Sequence, residues 1–234
     1  MDRRVGIIGV GRFGELLRRI LSPDFDIVTY DINQPEHNTL TEVAKQPNIF
    51  IATPIHIIAD VLKNLAPLIR SDATVIDVCS VKCYPVEMMQ KYLPASVDII
   101  ATHPLFGPDS YPQHKTIIMH SVRDQHHSYS QWWQYFAKQQ FTLVEQTPEA
   151  HDRMMAKTQG ITHLIGRALE YIDAPTAQQA TQGYEALFSV VQQTCKDSWS
   201  LFLDLQRYNP YSNDENKKLL AALTQLCHTI ETKS

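Results

Sequence analysis

Val5-Gly6-Ile7-Ile8, Gly9-Val10-Gly11-Arg12-Phe13-Gly14 and Glu15-Leu16-Leu17-Arg18-Arg19-Ile20-Leu21 follow one another without a break, and their order decides the fold. The apolar run reads as a strand, the glycines as a tight turn and the last stretch as a helix. In this pattern Gly9 permits the turn, Gly11 lets the backbone approach a pyrophosphate and Gly14 lets helix and strand pack closely. The helix start, with Arg12 and Phe13 on it, then offers its amides to phosphate oxygens. A second apolar run, Asp26-Ile27-Val28-Thr29-Tyr30, ends in Asp31, where an acid is placed to bind the ribose hydroxyls of a dinucleotide. A carboxylate there repels a 2′-phosphate, and no arginine follows in Ile32-Asn33-Gln34-Pro35, so NAD is expected over NADP.

Outward from this stretch, apolar runs recur at 49–52, 74–78 and 98–101, separated by helical stretches at 38–46, 55–69 and 85–92. Strands alternating with helices predict a parallel sheet with its ligand crevice at the carboxyl ends of the strands. Thr53-Pro54 and Ser80-Val81-Lys82 end two of those strands, so both are expected to border the cofactor. Runs at 116–120 and 141–144, with a helix near 128–139 between them, complete the sheet.

After Thr147-Pro148 the alternation stops, and 149–172, 176–207 and 213–231 keep helical periodicity. Met154, Ile161, Ile165, Ala168 and Ile172 form one apolar stripe. Tyr184, Leu187, Phe188, Val191, Cys195, Trp199, Phe202 and Leu205 form another. The expected architecture is α/β: a Rossmann-like, mostly parallel sheet domain over 1–147, followed by an all-helical dimerisation domain over 148–234. A thin helical domain needs a cover, either the sheet domain or a second copy of itself, and a homodimer through these helices is expected.

The 234 residues carry a formal net charge of −4 with no basic face, which argues against a nucleic-acid partner. No window is apolar enough to span a bilayer and no leader precedes the first strand, which predicts a cytoplasmic protein. Cys79, Cys83, Cys195 and Cys227 fit no zinc or disulfide spacing, so no metal is expected.

His103-Pro104-Leu105-Phe106-Gly107-Pro108 follows the run at 98–101 and sets an imidazole at a strand's carboxyl end, beyond which two prolines and a glycine fix the backbone. A histidine so placed can face the nicotinamide, held within hydrogen-bond reach of a substrate. His163, on the first tail helix, lies about 200° around the axis from Ile161 and shares its face with Ala156, Gly160 and Arg167. The small residues leave room for a ligand, and Arg167 at i+4 is placed to hold a carboxylate. His151 with Asp152 reads as a helix start, the acid favouring the positive end of the dipole.

The glycine turn, Asp77-Val78-Cys79-Ser80-Val81-Lys82, His103-Pro104-Leu105-Phe106-Gly107-Pro108 and His151-Asp152-Arg153-Met154-Met155-Ala156 occur in the order seen in prephenate and arogenate dehydrogenases, a family this chain resembles over most of its length. The resemblance implies oxidative decarboxylation of a cyclohexadienol in tyrosine biosynthesis, with NAD as hydride acceptor. It implies that His103 takes the hydroxyl proton, that Ser80 helps orient it, and that His163 lines the substrate pocket.

The chain departs from that pattern on the second tail helix, where the family usually places an arginine nine residues before an aromatic that aligns with Trp199. Val190 stands there, and no arginine occurs between Arg167 and Arg207. Arg167 or Arg153 is then left to hold the substrate carboxylate. Two other readings stay open. One is a dehydrogenase or reductase of the same two-domain plan acting on another small acid; the β-hydroxyacid dehydrogenases among these depend on a helix lysine, for which only Lys157 is available in 149–172. The other is a non-catalytic NAD-binding homologue.

Overall fold

The computed structural model describes residues 2–34, 38–175 and 179–232. Pro35, which follows Asp31 in the stretch read for cofactor choice, lies outside them, as does the expected start of the second tail helix at 176–178. The chain divides into two compact units, Met1–Glu149 and Ala150–Ser234.

In the first unit β1 (Arg4–Ile8), β2 (Asp26–Tyr30), β3 (Asn48–Ile51), β4 (Thr74–Asp77), β5 (Asp98–Pro104), β6 (Thr116–Arg123) and β7 (Thr142–Glu145) form one sheet in the order β2-β1-β3-β4-β5-β6-β7. Each of the seven expected strands forms. All pairs are parallel except β5 with β6. No helix intervenes between those two strands, and a crossover long enough to reverse the chain is what parallel pairing requires.

The helices of this unit are α1 (Arg12–Leu21), α2 (Leu40–Ala44), α3 (Ile58–Leu65), α4 (Cys83–Tyr92) and α5 (Ser128–Lys138), with a 3₁₀ turn at Ile55–Ile57 leading into α3. β3, β4 and β5 are buried along their whole length, as strands covered on both faces must be. Val5, Ile7, Phe50, Ile76 and Ile100 pack with Leu16, Leu17 and Leu21 of α1 and with Trp132 and Phe136 of α5. Strand alternation turns Gly6, Ile49, Val75 and Ile99 to the other face. There a Cβ on Gly6 would stand 2.7 Å from Val43 of α2. Trp132 donates its indole N–H to Asn48 Oδ1 at 3.0 Å, which pins α5 to the start of β3.

The second unit is helical: α6 (Pro148–Met155), a π-helical segment at Ala156–Gly160, α7 (Ile161–Tyr171), α8 (Gln182–Thr194), α9 (Trp199–Arg207) and α10 (Ser212–Thr232). Pro148 at the first position of α6 gives up no helical hydrogen bond. Two expectations are corrected here. The helix expected to run unbroken to 207 stops at Thr194 and restarts after Ser198, whose hydroxyl accepts the Leu201 N–H at 3.1 Å. A serine cap satisfies a backbone donor that a continuous helix would otherwise occupy, so the chain breaks there.

The expected inner stripe of α6–α7 is also reversed. Met154 is 50% and Ile172 70% exposed, while Ala156, Gly160, His163 and Gly166 are buried. The π segment inserts an extra residue and rotates the following helix, and its small residues admit close neighbours. A Cβ on Gly166 would come within 2.0 Å of Thr194 Oγ1 in α8, so only glycine allows the two helices this approach.

Candidate functional site

Registers across the sheet put the ends of four strands on one line: Ile8 pairs with Ile51, Ile51 with Asp77, and Asp77 with Ala101. One or two residues beyond that line come Gly9, Thr53, the 78–82 loop and His103. Segments far apart in sequence thus share one sheet edge, roughly 14 Å from β1 to β5 at the usual strand spacing.

At its β1 end Gly9 has φ +95, a conformation that only glycine adopts without strain, and a Cβ there would meet the Ala52 carbonyl at 2.6 Å. A Cβ on Gly14 would stand 2.0 Å from the Gly9 carbonyl oxygen, which is how closely α1 lies against the turn. Gly11 faces open space within 4 Å. It caps α1 with no side-chain hydrogen bond, so the first amides of this ten-residue helix are not satisfied by a cap side chain.

Asp31 Oδ2 accepts the Val10 N–H at 2.8 Å, and Asp31 Oδ1 accepts the Asn33 N–H at 2.9 Å. Each oxygen retains a lone pair for a further donor. Thr53 Oγ1 is buried beside the turn and has no hydrogen-bond partner among the described residues, while Pro54 is exposed. A phosphate cradle, a placed carboxylate and an orphaned hydroxyl fit a dinucleotide.

Phe13 turns its ring to Phe106, 6.1 Å between centroids, so its side chain belongs to packing and only its amide faces the cradle. Arg12 Nη2 donates to Asp109 Oδ2 at 2.9 Å on the surface. These two contacts tie the start of α1 to the segment after His103.

His103 is 3% exposed. It lies at the carboxyl end of β5, one residue before the last, opposite Ile118 of β6. Thr102 lines a small apolar cavity with Phe13 and Phe106, so alternation puts the imidazole on the other face. Ser80 is half-buried in the 78–82 loop.

That loop is closed by a pair the sequence reading missed. Lys82 is 2% and Asp77 0% exposed; the Lys82 ammonium contacts Asp77 Oδ1 and donates to the Thr102 carbonyl at 2.5 Å. Burial pushes the Asp77 carboxyl up, against the pull of Lys82 and of the Cys79 N–H. The signal available in sequence was two opposite charges flanking Val78-Cys79-Ser80-Val81, with nothing to show that β5 lies alongside.

In the helical unit His163 is 7% exposed and its Nδ1 has no hydrogen-bond partner among the described residues. Burial lowers its pKa, with Asp197, 4.0 Å from Nε2, pulling the other way. Arg167 Nη1 donates to Glu170 at 2.9 Å and Nη2 to the Asp197 carbonyl at 2.5 Å, and the guanidinium lies 5.5 Å from the Trp199 ring. His163, Arg167, Asp197 and Trp199 are therefore one cluster. Asp197 was missed because the helix was expected to pass through it; the cap at Ser198 was the readable sign.

The Val190 carbonyl lies 3.4 Å from where a Cβ on Gly166 would stand, so the site of the missing arginine faces the turn of α7 that carries Arg167. Arg153 is stacked 4.2 Å from the Tyr211 ring. His151 and Asp152 are wholly buried, with Nδ1 and Oδ1 2.7 Å apart, and Asn209 donates to the Asp152 carbonyl at 2.8 Å; the acid is packed inside the unit, not set at a solvated helix start. Among the described residues no His, Cys, Asp and Glu cluster could hold a metal ion, and no helix is long and apolar enough to cross a membrane.

Residues 27–117 match the family described as prephenate dehydrogenase, nucleotide-binding domain. Residues 168–234 match the TYRAAT1-like C-terminal domain. Arogenate dehydrogenase 2, chloroplastic, of Arabidopsis thaliana is 26% identical over 238 residues, covering 92% of this chain and 66% of that protein. A probable arogenate/prephenate dehydrogenase of Methanocaldococcus jannaschii is 25% identical over 208 residues, covering 84% of this chain and 46% of that one. The chain thus spans less than two thirds of the length of these curated relatives.

Among solved structures, prephenate dehydrogenase from Aquifex aeolicus in complex with hydroxyphenyl propionate and NAD+ superposes with a TM-score of 0.77 at 16% identity, covering 100% of this chain and 92% of that one. Synechocystis arogenate dehydrogenase gives 0.71 at 18%, covering 98% and 92%. At such identities the superpositions speak for the fold alone. The segment 27–117, which contains His103, is thus similar to the nucleotide-binding domain of prephenate dehydrogenases, and the relatives that match over most of this chain are arogenate and prephenate dehydrogenases.

Proposed function

We propose that this protein is an NAD-dependent dehydrogenase that oxidatively decarboxylates prephenate or arogenate on the way to tyrosine. The observation that carries the reading is the single sheet edge on which the glycine turn, Asp31, the Ser80 loop and His103 end together. Gly9, Gly11 and Gly14, with the amides of Arg12 and Phe13, hold the pyrophosphate; Asp31 takes the ribose hydroxyls, and Thr53 and Pro54 border the cofactor. NAD, when bound, supplies the hydride acceptor.

His103 accepts the hydrogen bond and then the proton of the ring hydroxyl as carbonyl character develops, with Ser80 holding the same hydroxyl in place. Carbon dioxide leaves and the ring becomes aromatic, which drives the step. To the helical unit we assign substrate binding: His163 faces the substrate neutral, and Arg167 holds a carboxylate in place of the arginine absent at Val190. Support for that substitution comes from Val190 abutting Gly166, one residue from Arg167.

The enzyme acts as a homodimer through its helices. Leu220, Leu223, Leu226 and Ile230 of α10 are 65%, 52%, 60% and 71% exposed, too much apolar surface for one helix to leave in water. We retain a cytoplasmic location, which imaging of a fluorescent fusion checks. A non-catalytic NAD-binding protein is favoured by one observation only, that both Nη atoms of Arg167 already donate within the chain. NADH formation with prephenate and with arogenate, offered separately, tests the proposal. Turnover of either, abolished in His103→Ala, supports it; none with both overturns it.

A further inference from the structure

Lys82 is among the most deeply buried charged side chains of the sheet unit, at 2% exposed, and the chemistry described above does not use it. Its ammonium makes contacts that meet at the two chemical residues. One goes to Asp77 Oδ1, and since Asp77 and Lys82 bracket Val78-Cys79-Ser80-Val81, it closes the loop that carries Ser80. The Cys79 N–H, donating to the same Asp77 Oδ1 at 2.9 Å, tightens that loop further. The other goes to the Thr102 carbonyl at 2.5 Å, the carbonyl of the peptide unit whose nitrogen belongs to His103. Thr102 Oγ1 in turn donates to the Asp77 carbonyl at 2.6 Å.

A buried ion pair is a poor source of stability, because withdrawing two charges from water offsets most of their attraction and apolar side chains of similar size hold a fold as well. What such a pair does supply is a fixed geometry: it can be satisfied in one arrangement of loop and strand, whereas apolar groups tolerate several. Here the groups it joins are the loop that carries Ser80 and the peptide unit that runs into His103.

We propose that Lys82, through Asp77 and the Thr102 carbonyl, is a positioning residue that sets the Ser80 loop and the His103 peptide in register for proton transfer. The proposal rests on the reading of His103 as the proton acceptor. Its role is on the turnover step, because its ammonium contacts run to the Ser80 loop and to the peptide unit of His103.

The test is the double variant Asp77→Asn with Lys82→Met, which removes both charges and leaves neither buried alone. The expected result is a folded protein with a melting temperature near that of the unaltered chain, an unchanged KM for NAD, and a kcat lowered roughly tenfold to a hundredfold, the scale of a small misplacement of reacting groups. In ¹H–¹⁵N spectra of the imidazoles, the signal lost in His103→Ala identifies His103, and that signal shifts in the double variant. An unchanged kcat and an unchanged His103 signal in a folded double variant overturn the proposal, as does a lowered melting temperature with kcat intact. If the double variant does not fold, Lys82→Arg, which keeps the charge and displaces its donors, carries the same two readouts. A chain that makes no NADH from either acid overturns the functional reading, and the His103 signal then decides the positioning claim by itself.

Discussion

The backbone N–H of Val10 donates to Asp31 Oδ2 across 2.8 Å, so the acid at the end of β2 is held to the glycine turn at the end of β1. The carboxylate is thereby oriented before any ribose arrives. Asp31→Ala is expected to raise the KM for NAD by roughly tenfold or more, the scale of a lost hydrogen bond to a charged group, with kcat at saturating NAD nearly unchanged. Steady-state kinetics with NAD varied checks this, and an unaltered KM removes Asp31 from the cofactor site.

Variants at Gly11 and Gly14 are expected to separate cofactor binding from folding. A Cβ on Gly14 would collide with the Gly9 backbone, whereas one on Gly11 meets nothing within 4 Å. Gly14→Ala should lower the melting temperature by several degrees, overpacking costing about 1–3 kcal/mol. Gly11→Ala should melt with the unaltered chain and bind NAD more weakly. Calorimetry of both variants with and without NAD decides, and equal melting losses in the two would contradict the cradle.

Arg167 sits in a cluster with His163, Asp197 and Trp199, and its proposed role is to hold the substrate carboxylate. Arg167→Met is expected to raise the substrate KM roughly thirtyfold or more, equivalent to about 2 kcal/mol for a carboxylate left without its charged partner. The NAD KM should stay where it was. A substrate KM that does not move takes Arg167 out of the substrate site.

His163 is buried, which holds its pKa below the usual 6.5. Between its folded pKa and 6.5 the unfolded chain binds the proton that the folded chain refuses, so stability rises with pH across that window. The contribution is fully present above about pH 6.5 and is lost as the pH falls toward the folded pKa. Melting temperatures measured from pH 5 to 8 should show this slope, and His163→Gln should flatten it; a slope that persists in the variant would assign it elsewhere.

The strands could be read from sequence because what makes them is local. Val5 to Ile8, or Thr74 to Asp77, is an apolar run closed by a turn, and the glycines at 9, 11 and 14 state the turn's geometry directly. The helical unit could not be read in the same way. Periodicity gave Met154 and Ile172 a common face, but burial was decided by which neighbours could come closest, and only Ala156, Gly160 and Gly166 permit that approach. The π segment that rotates those residues inward leaves no mark in a hydrophobic pattern. The histidine at 103 was visible as a motif, while the Asp77–Lys82 pair beneath it was not, because it exists only once β5 lies beside β4 and brings the Thr102 carbonyl to the ammonium.

The outer half of α10 has water on nearly every side, with Leu220, Leu226 and Ile230 uncovered. An isolated stretch of that length is barely helical in water, since each added residue contributes little once nucleation has been met. The proposed dimer would cover this helix, and it predicts that thermal endurance depends on protein concentration. Dilution should lower the melting temperature and fray the carboxyl-terminal helix first, with both effects absent in a Leu223→Glu, Leu226→Glu variant, whose melting should be low and independent of concentration.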